Sequence, residues 1–156
     1  MRLYLMRHAE AHKTSGETQT DAARALTEYG QLQARTMASE LLRRQVSAAV
    51  LLCSPFLRAR ETAAILAQAL TGGVYHPDEE LASSGHAPKL SAILGRHSTP
   101  DHLILIGHQP DLGMLVETLV GFEFGLSTAA VIAFESIPNQ KWKHLWNLTP
   151  EDLLHK

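Results

Sequence analysis

Leu3-Tyr4-Leu5-Met6-Arg7-His8 sets four apolar residues directly before an arginine and a histidine. A run this short and this apolar reads as a strand covered on both faces, the kind found inside parallel sheets. The pattern returns twice, in Ala48–Cys53 (AAVLLC) halting at Ser54-Pro55 and in His102–Ile106 (HLILI) running into Gly107-His108. Helical periodicities fill the intervals. Thr27 can cap a helix that carries Leu32, Ala34, Met37, Ala38, Leu41 and Leu42 to about Gln45; Gly30 in its first turn is expected to be a mild cost. Ala59, Thr62, Ala63, Leu66 and Leu70 mark a second helix ended by Gly72-Gly73. Pro88–Gly95 reads as a short helix, and Pro110 suits the first position of another that carries Leu112, Leu115, Val116 and Leu119 to Gly121. Gly73–His76 is predicted as a short strand, and Ala129–Glu135 with Trp142–Leu148 as a closing hairpin around Pro138-Asn139. Strands alternating with helices predict an α/β fold, a three-layer α/β/α sandwich with a mostly parallel central sheet.

The composition is that of an ordinary globular chain. It has 156 residues, 45% of them hydrophobic and 19% charged, which excludes a disordered protein and predicts one domain over residues 1–156. Lys and Arg number 14 against 16 Asp and Glu, a net charge of −2, so nucleic acid is not an expected partner. Cys53 is the one cysteine, which excludes an intrachain disulfide, and its place at the end of an apolar strand reads as core. No apolar stretch has the length of a membrane helix or a signal peptide, so a cytoplasmic protein is expected, with no membrane partner. The polar segment His12–Asp21 reads as an exposed loop. The nine histidines are the unusual count. Histidine titrates near neutrality, binds metals and can carry a phosphoryl group.

In α/β sheets of this kind, ligands sit beyond the carboxyl ends of the strands. Arg7 and His8 follow the first strand there. Ser54-Pro55-Phe56-Leu57-Arg58 follows the second, with Glu61-Thr62 beyond, and Gly107-His108 follows the Leu103–Ile106 run. Two arginines and two histidines, spread over a hundred residues, thus gather at one sheet edge. Guanidinium forks match phosphate or carboxylate oxygens. The imidazoles among them could supply a nucleophile, an acid or a further donor. This combination suits phosphoryl transfer, which runs on positioning and charge neutralisation.

Four motifs carry a family resemblance: Leu5-Met6-Arg7-His8-Ala9-Glu10, Leu26-Thr27-x-x-Gly30, Ser54-Pro55-x-x-Arg58-Ala59-x-x-Thr62 and Gly107-His108-x-Pro110. In order and spacing they are similar to the histidine phosphatase superfamily, whose fold is phosphoglycerate mutase-like. The resemblance is greatest to the small bacterial phosphohistidine phosphatases of SixA type, which also share the Gly107–Leu112 stretch and Trp146-x-Leu148-x-Pro150-x-x-Leu153. Ala9 stands where the family usually has Gly, a change an alanine tolerates if its φ is negative. The resemblance implies that His8 is the nucleophile, that Arg7 and Arg58 clamp the phosphoryl oxygens, and that His108 donates to one of them. It further places Arg24 and Glu80 as substrate-binding residues, with Glu80 aligned to the acid that many relatives use to protonate the leaving group. No cofactor and no metal are expected. His8 and His12 have the four-residue spacing of a helical metal pair, but they leave a strand. His76, His86, His97, His102, His144 and His155 read as exposed residues near turns or element ends.

The expected activity is a metal-independent hydrolysis of phosphohistidine on a protein partner, the histidine-containing phosphotransfer type, in protein dephosphorylation and signal transduction. Such a leaving imidazole can be protonated before its bond breaks. Only about 25 residues separate Thr71-Gly72-Gly73 from Gly95, which leaves little chain for a lid and predicts an open pocket; the oligomeric state is left open, with a monomer favoured. A small-molecule phosphatase or phosphoglycerate mutase of the same superfamily is one alternative. A non-catalytic, phosphate-dependent binding module is another.

Overall fold

The apolar N-terminal run forms β1 (Arg2–Arg7). Its neighbour in the sheet is β4 (His102–Gly107), parallel to it, with Leu3 opposite Leu103 and Arg7 opposite Gly107. That register brings His8 and His108 out of the sheet side by side. On the far side of β4 lies β2 (Val50–Cys53), also parallel, with Cys53 opposite Ile106. The Ser54 amide donates to the Ile106 carbonyl at 2.9 Å, so the third motif leaves the sheet at the same level. The computed structural model describes residues 1–14, 20–47, 49–97 and 100–155. Residues 15–19 of the predicted loop, and Ala48 of the predicted second strand, lie outside these.

Among the described residues the sheet has six strands. Beside β2 runs the two-residue β3 (His76–Pro77), and beside β1 the antiparallel hairpin of β5 (Val131–Ile137) and β6 (Lys141–Leu148), giving the order β3-β2-β4-β1-β5-β6. The four strands from β3 to β1 are mutually parallel, and β5 and β6 are antiparallel. Side chains alternate between the two faces. Tyr4, Met6, Leu51, Cys53, Ile104 and Ile106 point to one face, where α1 (Glu28–Arg43) and α2 (Leu57–Leu70) cover them through Met37, Leu41, Ala63 and Leu66. Leu3, Leu5, Leu52, Leu103 and Leu105 point to the other, under α3 (Leu90–Arg96) and α4 (Asp111–Val120), which contribute Ile93, Leu112, Leu115 and Val116. The result is the three-layer α/β/α sandwich expected from the alternating pattern. No described helix is long and apolar enough to cross a membrane.

The structure moves some boundaries. Gly72 and Gly73 both take positive φ (65° and 91°) and finish the turn after α2, so β3 starts at His76 instead of Gly73. Pro110 stands as the cap before α4, not as its first residue. A short α5 (Pro150–Leu154) follows β6 and was not anticipated. Its signal is Thr149-Pro150-Glu151-Asp152, a reciprocal capping box in which Thr149 and Asp152 each accept the other's amide.

Gly30 is the instructive difference. As expected, the Thr27 hydroxyl accepts the Gly30 amide at 2.9 Å and caps α1. The glycine is no mere helix cost, however. A Cβ at Gly30 would sit 2.0 Å from the Glu10 carbonyl oxygen, so the absent side chain lets α1 press against the strand end that carries His8. Gly95, in α3, has nothing within 4 Å of where its Cβ would lie. Gly30→Ala is therefore expected to cost about 3 kcal/mol or more in urea unfolding. Gly95→Ala should be neutral or stabilising by up to about 1 kcal/mol. Equal effects would mean that Gly30 is only a propensity defect.

Candidate active site

Beyond β1, residues 8–10 find their hydrogen bonds one at a time. The His8 amide donates to the Gly107 carbonyl at 3.0 Å, the Ala9 amide to Thr62 Oγ1 at 3.0 Å, and the Glu10 amide to Gln33 Oε1 at 2.9 Å. Thr62 lies one helical turn after Arg58 and donates its own proton to the Arg58 carbonyl at 2.7 Å. Glu61, beside it, accepts the Leu26 amide at 2.9 Å. Thr62, Gln33 and Glu61 thus bolt the strand end and its surroundings to α1 and α2. Ala9 is fully buried, and it is absent from the residues of positive φ, which meets the condition for an alanine here.

This frame fixes the protonation pattern of His8. Its Nδ1 lies 2.7 Å from the Ala9 carbonyl oxygen, which can only accept, so Nδ1 carries the proton. Nε2 then holds the lone pair and accepts the Arg58 Nε–H at 3.2 Å. Burial pulls the His8 pKa down to about 3; the Ala9 hydrogen bond opposes this, while His108, Arg58 and Arg7 add to it. The ring is neutral at pH 7. His108 lies with its ring centre 5.2 Å from that of His8 and packs edge-on to Phe56. Burial, and next Arg58, lower it to about 4. Its Nε2 pairs with Ser54 Oγ at 2.7 Å, and that hydroxyl also accepts the Phe56 amide. Ser54 thus orients His108 and caps the turn into α2.

The arginines form one electrostatic group. Arg7 Nη1 donates to the Leu126 carbonyl at 3.2 Å, while its Nε is buried without a partner among the described residues. Burial, then Arg58, then Arg24, lower the Arg7 pKa, so the three guanidiniums sense one another. Arg24 is half-buried, and its Nε donates to Asp21 Oδ1 at 3.0 Å. The same Asp21 accepts from Arg58 twice, at Oδ2 (3.1 Å) and at its backbone carbonyl (2.8 Å). Burial pushes the Asp21 carboxyl up, but the bonds and charges of Arg58 and Arg24 outweigh it and hold it below its ordinary value. Asp21 was read only as the end of a polar loop. Its signal, an acid three residues before Arg24, is too common to stand out.

The structure therefore brings Arg7, His8, Arg58 and His108 together and sets Arg24 beside them through Asp21. Glu80 Oε1 accepts the Lys89 amide at 2.7 Å, and no described hydrogen bond joins it to the four residues. The reason is local, since Glu80 sits in a 3₁₀ turn (Glu79–Leu81) organised by buried Asp78, which accepts the Glu80 amide and the Arg96 guanidinium. His8, Arg58 and His108 are only 6%, 4% and 2% exposed. Of the other histidines, His76, His86 and His155 are exposed, whereas His97, His102 and His144 are half-buried. His102 pairs with the Tyr4 hydroxyl, and His144 lies between Phe122 and Phe134. Cys53 is core, its thiol pushed up to about 12 by burial. Among the described residues no three His, Cys, Asp or Glu side chains gather as a metal site.

The chain is similar to known proteins. The family model of the histidine phosphatase superfamily (branch 1) matches residues 3–84. An uncharacterised protein of Picosynechococcus sp. is 36% identical over 144 residues, covering 87% of this chain and 86% of that protein. The fold superposes on the protein histidine phosphatase SixA complexed with tungstate at a TM-score of 0.86, with 27% identity over 98% of this chain and 99% of that one. It also superposes on a mycobacterial glucosyl-3-phosphoglycerate phosphatase in complex with inorganic phosphate, at a TM-score of 0.69 and 18% identity over 96% and 98% of the two chains.

Two buried imidazoles that stay neutral when folded give a stability signature. An unfolded histidine binds its proton near pH 6.5, whereas His8 and His108 resist until about 3 and about 4. Between those limits the unfolded state holds more protons, so stability is full above pH 6.5 and falls as the pH drops. From pH 7 to pH 5 each ring should cost about 2 kcal/mol in denaturant unfolding. His108→Asn is expected to remove about half of that slope; an unchanged slope would mean that the rings are not held neutral.

Proposed function

The chain belongs to the histidine phosphatase superfamily, and on that footing we propose that it removes the phosphoryl group from phosphohistidine on a protein partner, by way of a phosphohistidine formed on His8. The observation that carries this reading is the Nδ1–H tautomer of His8, which leaves the Nε2 lone pair facing Arg58. A neutral, oriented imidazole nucleophile needs no base to activate it.

In the first step the Nε2 lone pair attacks phosphorus as the phosphorus–nitrogen bond of the substrate breaks. The leaving imidazole, protonated beforehand, departs as a neutral ring. Arg7 and Arg58 neutralise the phosphoryl oxygens, and His108 donates to one of them as charge develops. Water then attacks phospho-His8 and releases inorganic phosphate, returning the electron pair to Nε2. Arg24 serves as a further contact to the substrate's phosphoryl group.

The choice of phosphohistidine over a phosphate ester rests on the leaving group. An alkoxide needs an acid to protonate it. Glu80 is bonded to the Lys89 amide, and the carboxylate that does touch the group, Asp21, is held ionised. A leaving imidazole makes no such demand. The likeness to SixA at 27% identity supports the same choice.

The test is phosphate release from a phosphorylated histidine-containing phosphotransfer domain. His8→Ala should lose at least about a thousandfold in kcat. Equal release by that variant would overturn the nucleophile. A kcat/KM for sugar phosphates far above that for the phosphoprotein would overturn the substrate class in favour of a small-molecule phosphatase.

A further inference from the structure

We propose that Asp21 is a built-in anion that occupies the phosphoryl site at rest, is displaced by the arriving phosphoryl group, and so sets the affinity of the site for phosphate. The proposal rests on the reading of Arg7, His8, Arg58 and His108 as a phosphoryl site. All three nitrogens of the Arg58 guanidinium are engaged at rest: Nε with His8 Nε2 at 3.2 Å, Nη1 with the Asp21 carbonyl at 2.8 Å, and Nη2 with Asp21 Oδ2 at 3.1 Å. Two oxygens of one residue thus take the face of Arg58 that a bidentate phosphoryl group would use.

The two partners differ in their freedom to move. The Arg58 side chain is 5% exposed and rooted in α2, whereas that of Asp21 is 59% exposed. Asp21 belongs to a three-residue 3₁₀ turn, Asp21–Ala23, that buries no residue and has no side-chain cap. Releasing it to water costs little packing, while moving Arg58 would uncover the core. Charge points the same way. Arg58 and Arg24 both face the Asp21 carboxylate, a formal excess of 2 − 1 = +1, and Arg7 senses both guanidiniums. A phosphoryl dianion neutralises that excess better than a monoanion can, and it repels a carboxylate that stays.

Asp21 therefore competes with substrate and with the product phosphate alike, and keeps product release easy from a strongly cationic site. The experiment is calorimetric titration of inorganic phosphate into the full chain. Asp21→Asn and Asp21→Ser should bind phosphate about three- to tenfold more tightly than the wild type. Asp21→Glu, which keeps the charge, should stay within about twofold of it. Unchanged or weaker binding in both neutral variants would overturn the proposal and make Asp21 a residue that positions Arg58. If neither the wild type nor the variants bind phosphate, the phosphoryl-site reading falls with it. Tighter binding by the variants, together with no phosphoprotein hydrolysis by the wild type, would uphold Asp21 and overturn the substrate reading alone.

Discussion

The bond from His8 Nδ1–H to the Ala9 carbonyl is the constraint on which the site depends. It decides which nitrogen keeps its lone pair, and so it decides whether His8 can act as a nucleophile at all. The carbonyl itself must be held still. The Ala9 amide is fixed by Thr62, the Glu10 amide by Gln33, and the Glu10 carbonyl accepts the Thr27 amide. Gly30 then lets α1 come against that carbonyl where any side chain would collide. Much of the first half of the chain thus serves one imidazole.

Electrostatics and burial pull against each other here. Taking His8, His108 and Arg58 out of water favours uncharged forms, and the rings comply by staying neutral. The guanidiniums cannot comply, so they need a counter-ion. Asp21 supplies one within the chain, and the reaction supplies another. The net charge of −2 conceals this, because it sums the whole chain while three arginines sense one another at one place.

Most of the fold could be read from the sequence because its inner strands are short apolar runs ending in charge or a turn, and its long helices have clear periods. The readings that shifted rest on weaker signals. β3 is two residues long, and α5 has five, so neither carries a period. Arg7, His8, Arg58 and His108 could be read as one group because each stands at the end of a strand or within a few residues after it. Asp21 could not, since its contact with Arg58 spans 37 residues and depends on where a loop lies. Glu80 aligns with an acid of the family, and its acceptance of the Lys89 amide is a local contact that spacing cannot reveal. Gly30 showed only its helix cost, because the Glu10 carbonyl it accommodates arrives from another element.

Nitrogen NMR of the chain with its imidazoles isotopically labelled tests the central claim most directly. At pH 7, His8 should be neutral, with the proton on Nδ1 and an unprotonated Nε2, and it should stay so to pH 5. A proton on Nε2, or a ring that gains charge near pH 6.5, would contradict the account.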